Sequence, residues 1–165
     1  MLYGPNASFR TKEQELLVQA VYSSEPVVIG ILPTSGGKSL SFLLPAAHEL
    51  AGTTVVIVPL VALIQDFVRR AKELSISAAA WRSDFHTTSS SIKLLFITPE
   101  SVTSAAFFSY LQFLRTSQQL DRIVIDECHL FINGVASFRP AFTQLFYLFR
   151  VEIPLVFLTT IFPYD

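Results

Sequence analysis

Short apolar runs rich in β-branched residues recur along the chain, and polar residues or proline close each of them. Runs of this length bounded by turn residues are typical of buried strands. The predicted strands cover residues 27–32, 54–58, 94–98, 123–125 and 155–158.

Helical spacing of apolar residues fills the segments between these strands. One set is Leu60, Leu63, Ile64, Phe67, Val68 and Ala71, with Arg69, Arg70, Lys72 and Glu73 on the opposite side. Two further sets are Phe107, Tyr110, Leu111 and Leu114, and Phe142, Leu145, Phe146 and Phe149. Strands that alternate with helices predict the α/β class: a mostly parallel sheet with helices on both faces, which binds ligands beyond the carboxyl ends of its strands.

Composition limits the size and surroundings of the protein. A chain of 165 residues, 51% of them hydrophobic, predicts one domain over residues 1–165. A net charge of −1 means that any nucleic-acid contact must come from a local surface. The single cysteine, Cys128, excludes an internal disulfide and favours an intracellular location. No signal peptide or membrane span is predicted, and the Ser/Thr run at 87–91 predicts an exposed loop.

A glycine-containing loop follows the first predicted strand and precedes the helix-compatible segment 40–50. Its residues are Pro33, Thr34, Ser35, Gly36, Gly37, Lys38 and Ser39. In such a loop the backbone amides can turn toward phosphates, the lysine can reach the terminal phosphates, and the serine hydroxyl can bind magnesium. Leu32 stands where the general pattern has its first glycine, so a tight turn with a merely solvated Lys38 remains an alternative.

An acidic motif, Asp126-Glu127-Cys128-His129, ends the strand predicted at 123–125. Phosphoryl transfer to water needs a carboxylate that holds magnesium and a group that places the attacking water. Asp126 suits the metal and Glu127 suits the water. The alternative is a polar cluster that only caps a strand. Cys128 is expected to be a small buried side chain, because no motif pairs it with a base.

The acidic motif resembles motif II of DEAD/DEAH-box-type helicases, and the surrounding segments resemble RecQ helicases over nearly the whole chain. The loop 33–39 is similar to the RecQ phosphate loop, which also lacks the first glycine. Segments 55–66 (VVIVPLVALIQD) and 94–100 (LLFITPE) resemble motifs Ia and Ib. The resemblance implies the first RecA-like lobe of a 3′–5′ DNA helicase, with ATP and Mg²⁺ as cofactors and, in a eukaryote, a nuclear location.

Further site residues follow from the resemblance alone. Phe9, Arg10 and Gln14 are similar to a motif that reads adenine, although Thr11 and Gln14 also form a helix-capping pattern. His129 would relay between the nucleotide site and a DNA-contacting loop, and is otherwise a satisfied polar residue.

Contacts with single-stranded or partly duplex DNA are likewise implied by the resemblance. The residues concerned are Pro59, Leu60, Thr98, Pro99, Glu100, Phe138 and Arg139. The first five are also ordinary turn residues. Phe138-Arg139-Pro140 resembles the end of the aromatic-rich loop of RecQ helicases. In this loop Gly134 stands where the family has a tryptophan, and Val135 and Ala136 replace further residues. Near the end of the chain, Ile161 stands where the family has a threonine.

Three functions therefore stay open. The first is the ATP-binding lobe of a helicase that needs a second RecA-like lobe, which is absent from these 165 residues, together with its arginine finger. We expect such a chain to hydrolyse ATP slowly, if at all, and not to unwind DNA by itself. The second is a non-enzymatic remnant that keeps the fold, favoured by Gly134 and Ile161. The third, a P-loop ATPase that acts on something other than nucleic acid, is disfavoured by the likeness to motifs Ia and Ib.

Overall fold

A computed structural model describes residues 4, 6–85, 92–132 and 153–160. The helices are α1 (Lys12–Tyr22), α2 (Leu40–Ala46), α3 (Val61–Glu73), α4 (Pro99–Val102), α5 (Ala105–Thr116) and α6 (His129–Ile132). The strands are β1 (Val27–Ile31), β2 (Thr53–Ile57), β3 (Ala78–Ala80), β4 (Leu94–Ile97), β5 (Leu120–Ile125) and β6 (Leu155–Thr159).

The strands form one six-stranded sheet in the order β1-β6-β5-β2-β4-β3, and each neighbouring pair is parallel. Every residue of the central strands β2 and β4 is buried. All carboxyl ends therefore lie at one edge of the sheet, as the parallel arrangement requires.

Two hydrophobic clusters cover opposite faces of this sheet. One packs α1, α2 and α3 against residues such as Val56 and Phe96, and the other packs α4 and α5 against residues such as Val55 and Leu95. Neighbouring residues of a strand point to opposite faces, so Val55 and Val56 belong to different clusters, and so do Leu95 and Phe96. The predicted α/β fold with helices on both faces is confirmed.

The helix ends follow local chemistry. Thr11, Thr98 and Ser104 precede α1, α4 and α5, and the side chain of each accepts a hydrogen bond from a backbone amide of the first turn. The segment 40–50 is helical only to Ala46, with Pro45 inside its last turn, and turns follow it. The α2 prediction was therefore too long.

Other differences concern weak strand signals. β3 consists of three alanines, which carry no β-branched pattern, and β5 begins three residues before the predicted 123–125. Trp81 is partly buried and packs against Phe107 and Tyr110 at ring-centroid distances of 5.2 and 5.3 Å. The predicted helix at 142–149 and the Ser/Thr loop at 87–91 lie outside the described residues. None of the helices in the described ranges is both long and apolar enough to span a bilayer.

Candidate functional site

The loop that holds Lys38 and the strand end that holds Asp126 lie side by side at the carboxyl edge of the sheet. Nζ of Lys38 is 3.4 Å from Oε1 of Glu127. Residues Thr34, Ser35, Gly37, Lys38 and Ser39 line one cavity of about 730 Å³ together with Asp126 and Glu127. The strand order explains this proximity, because only β6 separates β1 from β5.

The glycine loop is a compact turn that leads into α2. The Gly36 amide donates to the Pro33 carbonyl at 2.8 Å, and the Leu40 amide donates to the Gly37 carbonyl at 3.1 Å. Gly37 has a φ of +71°, and a side chain there would collide with Nε2 of Gln14. The backbone conformation therefore favours glycine at this position, and any other residue would displace the side-chain amide of Gln14.

Lys38 is 8% exposed, and its ammonium donates to the Leu32 carbonyl at 3.3 Å as well as facing Glu127. The lysine is thus not merely solvated, which was the alternative for the loop. Its charge is held at the base of the cavity by one carbonyl and one carboxylate.

The carboxyl group of Asp126 is 7% exposed. Its burial, and secondarily the negative charge of Glu127, raise the pKa of Asp126 from 3.8 to about 6, while Lys38 and the Glu127 amide act in the opposite direction. That amide donates to Oδ1 of Asp126 at 3.1 Å. A cation in the cavity would favour the ionised form of this carboxyl.

Glu127 adopts a φ of +47°, which is uncommon for a residue with a side chain. Its carboxylate reaches Thr160 Oγ1 at 3.4 Å and His129 Nδ1 at 3.4 Å, in addition to Lys38. Nδ1 of His129 also lies 2.8 Å from the hydroxyl of Thr159. The acidic motif is thereby linked to the end of β6.

Cys128 is buried in the cluster under α4 and α5, and burial raises the pKa of its thiol. Its amide donates to the Leu158 carbonyl at 2.9 Å. It is a small core residue, as expected from the sequence.

The upstream residues meet the glycine loop through Gln14, which is 4% exposed. Oε1 of Gln14 accepts from the Arg10 amide at 2.8 Å, and Nε2 donates to the Gly37 carbonyl at 3.3 Å. The hydroxyl of Thr11 accepts from the Gln14 amide, as a helix cap requires. In a capping box the side chain of Gln14 would accept from the Thr11 amide, but here it accepts from the Arg10 amide. Arg10 lines the cavity beside the loop, and the exposed Phe9 lines a neighbouring cavity.

The residues implied in DNA contact fall into two groups. Leu60 is 53% exposed and Pro59 is half-buried, and both lie between β2 and α3. Thr98 caps α4, Pro99 is buried in its first turn, and Glu100 is exposed. Both groups follow strands at the edge that carries the cavity, and both perform ordinary turn and cap functions. Phe138, Arg139, Gly134 and Ile161 lie outside the described residues.

Sequence reasoning missed the wall that α3 contributes to the cavity. Leu63, Asp66, Phe67 and Arg70 all line it, and Nε of Arg70 lies 2.8 Å from Oδ2 of Asp66. The three- and four-residue spacing places these side chains on one side of the helix. The sequence pattern had placed Arg70 on the side opposite Leu63 and Phe67, whereas in the structure all three side chains line the same cavity.

The sequence of the chain is similar to those of known helicases along most of its length. A family profile described as DEAD/DEAH box helicase matches residues 11–163. The chain is 37% identical to ATP-dependent DNA helicase Q-like 4B of Arabidopsis thaliana over 85% of its own length and 13% of that protein's. It is 36% identical to ATP-dependent DNA helicase Q5 of Rattus norvegicus over 84% of its length and 15% of that protein's.

A bacterial relative shows the same partial coverage. The chain is 32% identical to ATP-dependent DNA helicase RecQ of Bacillus subtilis over 86% of its length and 25% of that protein's. It therefore spans a quarter or less of these three relatives.

Solved structures support the fold. The DUF1998 helicase MrfA bound to DNA and AMPPNP is similar with a TM-score of 0.66 and 22% identity, over 90% of this chain and 23% of that one. A further crystal structure of MrfA gives a TM-score of 0.68 and 19% identity over 98% of this chain and 28% of that one. At these identities the likeness concerns the RecA-like helicase fold.

Proposed function

Because the chain belongs to the DEAD/DEAH box helicase family, we propose that residues 1–165 are the ATP-binding lobe of a RecQ-like, ATP-dependent DNA helicase. The family resemblance inferred from the sequence is confirmed by the family match and by the RecQ-like relatives. A second RecA-like lobe, supplied by further sequence or by a partner, would complete the motor. The observation that carries the proposal is the 3.4 Å approach of Lys38 and Glu127 in one cavity with Asp126.

Lys38 binds the terminal phosphates of ATP in this proposal. Its ammonium is already held in the cavity by the Leu32 carbonyl and the Glu127 carboxylate. A triphosphate is a stronger partner than one carboxylate, because it carries several charged acceptor oxygens. When it binds, Lys38 turns from Glu127 to the phosphates, and Glu127 becomes free to orient water.

Asp126 and Ser39 suit Mg²⁺, since a carboxylate and a hydroxyl are hard oxygen ligands. Burial raises the pKa of Asp126, so a bound cation would stabilise the ionised form of this carboxyl. Bound Mg²⁺ would neutralise the negative charge that develops on the phosphates. The protein's own contribution is to hold the buried Asp126 and Lys38 in the wall of one cavity.

His129 is proposed to couple the nucleotide site to DNA. Its ring lies between Glu127 and Thr159, so a shift of Glu127 on nucleotide binding would move His129 and, through it, the end of β6. Phe9, Arg10 and Gln14 would contact the adenine, with Gln14 joining the base to the glycine loop through Gly37.

DNA binding is proposed at the loops after β2 and β4. Pro59 and Leu60 would contact the backbone of single-stranded DNA, as would Thr98, Pro99 and Glu100, and Phe138 and Arg139 would add a stacking and a phosphate contact. Translocation in the 3′–5′ direction and, in a eukaryote, a nuclear location are proposed from the family alone.

Titration of the chain with Mg-ATP by calorimetry tests the nucleotide site. Lys38→Ala should weaken binding by roughly tenfold or more, as expected from losing a charge-assisted hydrogen bond. Lys72→Ala, on the exposed side of α3, should leave the affinity unchanged. Equally negligible binding by the wild type and the Lys38→Ala variant would contradict the proposal and favour a remnant that keeps only the fold.

A further inference from the structure

A buried arginine at the other end of β5 has no role in the nucleotide site. Arg122 is 6% exposed, and its Nε and Nη1 have no hydrogen-bond partner among the described residues. It lies four residues before Asp126 on an extended strand, which separates the two by roughly 13 Å. Buried charges in proteins are normally paired, so this guanidinium calls for an acceptor.

A second unpartnered polar group lies next to it. Thr54 of β2 is 0% exposed, and its Oγ1 also lacks a partner in the described part of the chain. Thr54 and Arg122 are register partners on adjacent strands, so their side chains point to the same face of the sheet. The row continues with Leu94 and Ala78, which are apolar.

An irregularity of the sheet directs Arg122 to this face. Thr53 pairs with Leu120 but Thr54 pairs with Arg122, so Asp121 is an extra residue on β5. Such a bulge re-aims the side chains that follow it. The Gly52 amide donates to Oδ2 of Asp121 at 2.8 Å and holds the bulge in place.

Nearby charge does not satisfy the guanidinium. Burial lowers the pKa of Arg122, and the charge of Asp121 only partly opposes this effect. Asp121 uses one carboxylate oxygen on Gly52, and neither Nε nor Nη1 of Arg122 has a hydrogen-bond partner in the described structure. Two unpartnered donors, the guanidinium of Arg122 and the hydroxyl of Thr54, thus lie on one face of two adjacent strands.

We propose that Arg122 and Thr54 form a binding site for one small oxyanion, a carboxylate or phosphate group, on the face of the sheet that packs against α1, α2 and α3. A guanidinium binds two oxygens of such a group with parallel hydrogen bonds, and a threonine hydroxyl can donate a third. This site is independent of the nucleotide cavity, so it stands whether or not the chain binds ATP.

Thermal denaturation of the chain in sodium acetate or sodium phosphate, replacing sodium chloride at constant ionic strength, tests this site. Every variant carries Lys38→Ala, so that phosphate cannot act through the glycine loop. The midpoint should rise with oxyanion concentration and saturate. Adding Arg122→Met should abolish the saturable rise, and Thr54→Val, which keeps the branched shape, should weaken the apparent affinity by about tenfold.

The comparison with Arg122→Met also removes general salt effects, because phosphate stabilises most proteins by exclusion from their surface. In chloride, Arg122→Met should be at least as stable as its parent, since it removes an unpaired buried charge. Two results would overturn the proposal. One is an equal rise of the denaturation midpoint with oxyanion in the parent and in Arg122→Met. The other is a large loss of stability in Arg122→Met without any dependence on oxyanion, which would mean that a carboxylate of the chain itself occupies the site.

Discussion

Replacing Gly37 by alanine tests how the glycine loop is held against α1. A φ of +71° disfavours any residue with a Cβ, at a cost of about 1–2 kcal/mol. The new methyl would also displace Nε2 of Gln14 and break its 3.3 Å hydrogen bond to the Gly37 carbonyl, a loss of about 0.5–1.5 kcal/mol. The lower entropy of alanine in the unfolded chain offsets about 0.5 kcal/mol. The expected net loss is about 2 kcal/mol.

Urea denaturation measures this loss, and a double-mutant cycle isolates its cause. In a Gln14→Ala background the collision is relieved, so Gly37→Ala should cost only about 1 kcal/mol, the part due to the backbone. The same loss in both backgrounds would refute the contact between Gln14 and Gly37. A stabilising effect of Gly37→Ala would refute the left-handed conformation itself.

Two further changes test the energetics of buried charge. Burial raises the pKa of Asp126 from 3.8 to about 6. Ionisation of this carboxyl therefore lowers the free energy of unfolding as the pH rises through this interval. Asp126→Asn should raise the free energy of unfolding by up to about 3 kcal/mol above pH 7 and should not change it near pH 3.5. Urea denaturation with a chelator across this pH range checks it, and a pH-independent difference would contradict it. Lys93 donates to three backbone carbonyls after α2, at 3.1, 2.7 and 2.7 Å. Lys93→Met should cost about 1–3 kcal/mol in the same assay, whereas Lys72→Met, at an exposed position, should change stability by less than about 0.5 kcal/mol; equal effects would argue against the Lys93 contacts.

Several elements could be predicted from the sequence because their signal is local. The β-branched runs around Val56 and Val124 indicate buried strands, and the four-residue spacing from Ile64 to Val68 indicates the buried side of α3. Side-chain spacing reflects backbone geometry within a few residues, so it needs no knowledge of the rest of the chain. The glycine loop and the acidic motif were visible for the same reason.

Other features depend on which segments pair, and a linear pattern does not contain that information. Three alanines become β3 only because they lie beside β4. Lys38 meets Glu127 because only β6, the last of the described strands, lies between β1 and β5 in the sheet. Neither outcome can be deduced from spacing.

The energetics of the site are likewise tertiary. The sequence predicted an acidic pair, but only packing decides that Asp126 is buried to 7% exposure with a pKa of about 6. The same holds for Arg122, because the bulge beside Gly52 directs its side chain to a buried face of the sheet. A residue's type is local, whereas its desolvation and its partners are set by strands distant in sequence, because burial and Coulomb interaction depend on distance in space.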